Sequence, residues 1–186
     1  MAWTVTEGMK RAGAVYTGLT PGDYVEISDT RSEIVLDQVR ARSASVVPFI
    51  WHHQRDQLVR LAKNPQNAVT HEVIDGETND RRRVEIVRDF QAGNLQMLLV
   101  HPQSAGHGLT LTRGVATIMA SPTHNAEHYK QVFHRVYRAS QDHKTETIHV
   151  RAKDTIDEQV YDGRLGPKLD SMALFLSLIE QAKANR

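Results

Sequence analysis

Five short apolar runs recur along this chain with helix-period or loop-like segments between them: SVVPFIW from Ser45, AVTHEVI from Ala68, LQMLLV from Leu95, VATIMASP from Val115 and TIHVRA from Thr147. Runs this short, bounded by turn residues, read as buried strands, and strands that alternate with helices read as a parallel sheet covered on both faces. The chain is therefore expected to be an α/β domain of three layers, with a central, mainly parallel sheet and helices on both sides. LQMLLV is the most convincing central strand, being apolar throughout except at Gln96. Pro48 predicts that its own strand bulges or lies where one amide is free.

The helices follow from spacing and punctuation. In YVEISDTRSEIVLDQVRARS, Ser28 or Asp29 can cap a helix that carries Ile34, Val35, Leu36 and Val39. HHQRDQLVRLAKN turns Leu58, Val59 and Leu61 inward and stops at Asn64 and Pro65. After a turn at Asp75 and Gly76, Thr78 or Asn79 can cap a third helix with Val84, Val87 and Phe90 as its buried stripe and Gly93 as its end. Its opening run Arg81, Arg82 and Arg83 faces the positive helix end, so at least one acidic partner is expected, and Arg83 reads as structural. Thr155 and Glu158 form a candidate capping box.

The stretch from Gln131 to Gln141, QVFHRVYRASQ, carries the candidate chemistry. As a helix it places Gln131, Arg135 and Arg138 on one stripe, near His124, Glu127 and His128, while Ala126, Tyr129, Val132, Phe133, Val136 and Tyr137 fall on the opposite, apolar side. Two guanidiniums one turn apart are suited to an anion such as a nucleotide phosphate, each being a permanently charged fork of donors. Thr123 is the expected cap of this helix. Upstream, Gly106 and Gly108 in HPQSAGHGLTL would let amides at the start of a following helix approach a phosphate.

These three stretches resemble motifs of one family, in the family's order. QxxxRxxRxxQ from Gln131 resembles motif VI of superfamily 2 helicases and translocases, HPQSAGHGLTL resembles motif V, and IDGETNDRRRVEIVRDFQAG resembles the DGxT strand, turn and helix. The forms are most similar to the SWI/SNF branch, and to its phage-type members. The resemblance extends more loosely from Tyr24 to the C-terminus. It implies a RecA-like helicase C-terminal lobe over residues 45–186 and a lead-in from a first lobe over 24–44; residues 1–23 lie outside it, and their glycines read as a loop or weakly ordered arm. It further implies Arg138 as an arginine finger with Arg135 as second phosphate contact, Gln131 and Gly108 on the nucleotide side, and Ser104, Ala105 and Gly106 on a DNA backbone phosphate. SVVPFIW would be motif IV. Arg31 stands where the family has a lysine and is assigned no role. The ending RASQ, where the family has RxGQ, places Ser140 at a glycine position.

The implied cofactor is ATP with Mg2+, held mainly by the first RecA-like lobe, and the implied partner is double-stranded DNA. No GxxxxGK[ST] occurs in the chain, and the DEQ at Asp157 lies in a helical stretch, so the chain alone is not expected to hydrolyse ATP. The other readings are a non-catalytic DNA- or protein-binding module on the same scaffold, and a metal-dependent hydrolase built on His124 and His128. The latter pair is spaced HxxxH but has Asn125 where HExxH needs glutamate.

A net charge of +1 gives no global attraction to nucleic acid, so any DNA contact is local. The absence of cysteine excludes disulfides and thiolate metal sites. With no apolar stretch long enough to span a bilayer, a soluble, cytoplasmic chain of a bacterial or phage-infected cell is expected. The run KLDSMALFLSLIEQAKA is apolar round most of a helix, and is expected to be covered by its own domain, a partner lobe or a second copy.

Overall fold

The computed structural model describes residues 2–4, 24–26, 29–49, 52–104, 108–121, 123, 125–137 and 143–168. Two short strands, β1 (Ala2–Thr4) and β2 (Tyr24–Glu26), pair antiparallel, so the expected N-terminal arm contributes a strand at its start. The other five are β3 (Ser45–Pro48), β4 (His71–Ile74), β5 (Met97–Val100), β6 (Ala116–Met119) and β7 (Glu146–His149). They form one sheet in the order β4-β5-β3-β6-β7, and every pairing is parallel. The middle strand is thus β3, with the more uniformly apolar LQMLLV segment beside it. The edge strand β4 is only half-buried along most of its length, which accounts for its mixed sequence.

Residue alternation along the strands sorts the core into two layers. On one face Val47, Phe49, Met97, Leu99, Ala116 and Ile118 pack beneath α1 (Thr30–Arg40) and α2 (His52–Lys63), which contribute Val35, Leu36, Val39, Leu58 and Ala62. On the other, Val46, Leu98, Val100 and Ile74 pack beneath α3 (Asp80–Ala92) and α4 (Ala126–Val136), which contribute Ile86, Phe90, Val132 and Val136. After β7 the chain forms α5 (Ile156–Val160), continued by a π-helical turn over Tyr161–Leu165 that periodicity does not reveal. The lead-in helix α1 belongs to the same core as the sheet. The C-terminal apolar run from Leu169 lies outside the described residues.

Pro48 does not bulge its strand. It stays in register with Val100, and the next amide, from Phe49, bonds the Val100 carbonyl at 3.3 Å. Amides alternate sides along a strand, so Pro48 would donate toward β6, and the β3–β6 ladder has already ended at Val46. The proline stands where no ladder bond is lost.

Several local expectations shift. In α3 the buried stripe is Arg83, Ile86 and Phe90, while Val84 is 69% exposed, because positions four and seven before Phe90 fall on Ile86 and Arg83. Asn79 caps this helix by accepting the Arg82 amide, and Gly93 closes it at φ +87°. Each arginine of the run meets a carboxylate: Arg81 with Glu85 at 3.5 Å, Arg82 with Glu72 at 2.6 Å and Arg83 with Asp80 at 3.6 Å. Ile34 of α1 is 43% exposed rather than inward. Asp29 sits at the α1 cap position without capping, and its carboxylate accepts instead from Gln57 and Arg60 of α2. Thr155 caps α5, but its hydroxyl accepts from the Asp157 amide, not from that of Glu158.

Candidate functional site

The carboxyl ends of the parallel strands open onto one edge, where ligands bind in open α/β sheets. The loop after β5 leaves that edge and crosses to the amino edge of the sheet, where Gln91 at the end of α3 bonds Thr112 and Arg113 and where the loop meets the end of α4. Its Leu109 and Leu111 join Val132 and Val136 in one buried cluster, and the Leu111 amide donates to the Arg135 carbonyl at 3.0 Å. That bond takes up one of the carbonyls a helix leaves unpaired at its C-terminus. Gly114 makes the contact close. A Cβ there would stand 3.1 Å from the Leu111 carbonyl oxygen, 3.2 Å from Val136 and 3.3 Å from Val46.

The helix differs from its sequence reading at both ends. Asn125, not Thr123, is the cap, its side chain accepting from the Glu127 and His128 amides, while the Thr123 hydroxyl accepts from the Asn125 amide. Helical geometry stops at Val136, and Tyr137 is extended at ψ 102°. Arg138 follows the last described residue of this stretch. It lies outside the described residues, as do Ala139, Ser140, Gln141 and His124. The expected apolar face is realised by Ala126, Val132 and Val136, whereas Tyr137 is 57% exposed.

Of the residues assigned from sequence, Arg135 and Gln131 stand on α4, both partly buried, and the Gln131 amide donates to Glu127 one turn back at 3.3 Å. Gly108 lies in the loop that Leu111 ties to α4. Its φ is +74° with nothing within 4 Å of a built Cβ, so the glycine is required by backbone conformation and not by lack of space. Ser104 is buried, and its amide bonds the His101 carbonyl at 3.0 Å. Ala105, Gly106 and His107 lie outside the described residues. No helix follows Gly108, contrary to expectation: Thr112 and Arg113 form a turn and the chain enters β6. At the carboxyl edge a small pocket between Pro48, Pro102, Ser121, Thr123, His128 and Tyr129 encloses about 10 Å³, room for roughly one water, and a larger one of about 430 Å³ opens between Tyr129, His149, Arg151, Tyr161 and Pro167.

The DGxT turn closes on itself at the end of β4. The Thr78 hydroxyl donates to the Asp75 carboxylate and accepts the Asp75 amide, both at 3.0 Å, and Arg55 of α2 pairs with the same carboxylate at 2.8 Å. Burial pushes this carboxyl up, but the hydrogen bonds from Thr78 and Glu77 and the Arg55 charge outweigh it and hold it below its ordinary value.

Sequence reasoning missed a buried polar clamp behind this edge. Arg31 of α1 donates to the carbonyls of Ala120 at 3.1 Å and Val150 at 3.4 Å, and pairs with the buried Asp157 of α5. Gln54 of α2 also donates to Ala120, at 3.2 Å, and accepts from Ser121. One guanidinium thus ties α1 and α5 to the ends of β6 and β7. The partners are 89 to 126 residues apart in sequence, so no local pattern marks them.

At the end of β7, Tyr129 of α4 shares a hydrogen bond with His149 at 3.2 Å, and Tyr161 meets the same imidazole edge to face at 4.8 Å. Arg151 lies 4.7 Å over the Tyr161 ring. Burial first, then the Arg151 charge, lowers the His149 pKa, and burial raises that of Tyr129.

The helicase conserved C-terminal domain model matches residues 31–140. Protein p41 of the Acyrthosiphon pisum secondary endosymbiont phage 1 is 26% identical over 82% of this chain, which spans 32% of that protein. The SNF2 domain-containing protein ENL1 of Oryza sativa subsp. japonica is 35% identical and CHROMATIN REMODELING 24 of Arabidopsis thaliana 32%, each over 47% of this chain. The chain spans only 9% and 8% of those two. Among solved structures, the C-terminal part of the Fun30 ATPase domain superposes with a TM-score of 0.64 at 16% identity, over 73% of this chain and 44% of that one, a likeness of fold. With three motifs in order, the all-parallel sheet and these relatives together, the chain belongs to the helicase conserved C-terminal domain family, as a second RecA-like lobe of the SWI/SNF type.

Proposed function

We propose that this chain is the C-terminal motor lobe of an ATP-dependent DNA translocase, completing an ATP site whose other half is a first RecA-like lobe of the same or another chain. The observation that carries the reading is the tie between the loop after β5 and the end of α4, through Leu111 and Arg135. It joins the segment read as DNA-contacting to the helix read as phosphate-contacting. Movement of one is then felt by the other, which a motor coupling nucleotide to DNA requires.

This lobe supplies one wall of the site and the first lobe the other. Bound ATP with Mg2+ supplies the phosphoryl group that transfers. Arg138 and Arg135 stabilise charge gathering on its oxygens, with Arg138 as the finger, and Gln131 orients them by exchanging its Glu127 bond for the nucleotide. Gly108 shapes the loop on the nucleotide side. Ser104, Ala105 and Gly106 meet a backbone phosphate of duplex DNA, giving salt-sensitive binding with little sequence preference. The working place is the cytoplasm of a bacterium or a phage-infected cell. Among the described residues no helix is long and apolar enough to cross a membrane.

The test is ATP turnover with duplex DNA by this chain alone, by a first RecA-like lobe alone, and by the two mixed. Turnover by the mixture, with neither component active alone, is expected. A mixture no faster than its components, together with unaltered DNA binding by this chain, favours the non-catalytic binding module.

A further inference from the structure

Gln91 stands half-buried in the last turn of α3, and both ends of its carboxamide are taken by one loop. Its Nε2 group donates to the Thr112 hydroxyl and its Oε1 atom accepts from the Arg113 amide, each at 3.0 Å, across 21 and 22 residues of chain. The residue before this pair, Leu111, donates its amide to the Arg135 carbonyl at 3.0 Å. The residue after it, Gly114, returns its amide to the Leu111 carbonyl at 2.9 Å, closing a tight turn. Gly93, just beyond α3, lies against the Arg113 guanidinium, and a Cβ there would stand 2.5 Å from Nη2. Consecutive residues of one turn thus join the end of α3 to the last turn of α4. At its other end α3 is fastened to the DGxT turn, where Arg83 donates to the Thr78 carbonyl at 3.2 Å.

We propose that Gln91 is a positioning residue for Arg135: by holding Thr112 and Arg113 it fixes the Leu111 amide, and through that amide the helix end that carries the arginine. This rests on the function proposed above. Arg135 is the penultimate residue of α4, and the last carbonyls of a helix have no donor within it. The setting of the final turn therefore depends on the outside donor that meets them. Here that donor belongs to a loop, which can shift unless its own backbone is held. Gln91 holds two adjacent residues from one helix, which fixes rotation as well as distance, as a single bond does not. A guanidinium acts on a transferring phosphoryl group only at hydrogen-bond reach, so a displacement of about 1 Å at the helix end is enough to slow turnover.

The test is a double-mutant cycle on ATP turnover with duplex DNA, for the whole chain paired with a first RecA-like lobe. Gln91→Ala is expected to lower turnover about ten- to a hundredfold in the parent, and to add no further loss to Arg135→Ala, since its effect runs through that arginine. Gln91→Glu is expected to retain most of the turnover, because its carboxylate accepts from the Arg113 amide and the Thr112 hydroxyl can turn to donate. Thr112→Val removes one of the two bonds and gives a smaller loss of the same kind, and it carries the cycle if Gln91→Ala does not fold. Losses that multiply in the double variant mark an ordinary structural residue and overturn the proposal, as do undiminished turnover in Gln91→Ala and a Gln91→Glu chain no faster than it. Undiminished turnover in Arg135→Ala, or none by the pair, overturns the function proposed above and this inference with it. NMR of the chain alone reads the same contact without turnover: in Gln91→Ala the Leu111 amide and the Arg135 resonances are expected to move while those of β4 stay in place. Unmoved Leu111 and Arg135 signals overturn the inference and leave the proposed function standing.

Discussion

Truncating Arg31 leaves the Asp157 carboxylate, 8% exposed, facing only the Ala152 amide from its known partners. Removing one member of a buried pair strands the other charge, so Arg31→Ala is expected to lower stability by about 3–5 kcal/mol in urea unfolding. Arg31→Lys should recover only part of it, because an ammonium is not a planar fork that reaches two carbonyls and a carboxylate together. Arg31 was visible in the sequence as a substitution of the family lysine, but its work depends on Ala120, Val150 and Asp157, which only the folded sheet brings near. Gly114 is a second case. It gave no signal, being an ordinary turn residue by sequence, yet Gly114→Ala forces a methyl between Leu111, Val136 and Val46. A loss of about 1–3 kcal/mol is expected, with amide shifts concentrated at Leu111 and Arg135 if the loop and helix end are displaced together.

α4 shows how much of an element periodicity can carry. Its buried positions Ala126, Val132 and Val136 follow from 3.6-residue spacing, and the realised face matches them. Its ends do not follow from spacing, because ends are decided by which side chain reaches an orphan amide and which donor reaches an orphan carbonyl. Asn125 has a carboxamide that accepts from two amides at 3.0 and 3.3 Å, and it displaces Thr123 to a supporting role. Asn125→Ala should cost about 1 kcal/mol, measurable as earlier thermal unfolding, whereas Thr123→Val should cost less. At the other end the Leu111 amide comes from a loop distant in sequence. The helix therefore closes before Tyr137 although the apolar and cationic pattern runs on to Gln141.

For the molecule as a whole, the layered sheet was legible because strands buried on both faces leave unbroken apolar runs, as in MLLV of β5, and parallel neighbours need helices between them. The joining of β7 to α4 and α5 was not, since His149, Tyr129 and Tyr161 lie on separate elements. This junction gives a pH signature. Burial, then Arg151, lowers the folded pKa of His149 below the ordinary 6.5, so the unfolded chain takes its proton first as acid is added. Its contribution is complete above about pH 6.5 and declines as pH falls from there toward the folded pKa. His149→Gln should flatten that part of the melting-temperature profile relative to the parent, and parallel profiles would remove the assignment. The low folded pKa of Asp75 acts in a separate window, below its ordinary 3.8, where falling pH weakens the DGxT turn. The central claim, that this lobe supplies arginines to a shared ATP site, is tested most directly by DNA-stimulated ATP turnover of the chain paired with a first RecA-like lobe. Parent, Arg135→Ala and Arg138→Ala chains would be compared at matched folding and DNA binding. A fall in turnover of about 10³-fold for Arg138→Ala, with a substantial loss for Arg135→Ala, is the predicted result. Undiminished turnover in both variants, or hydrolysis by this chain alone, would contradict the account.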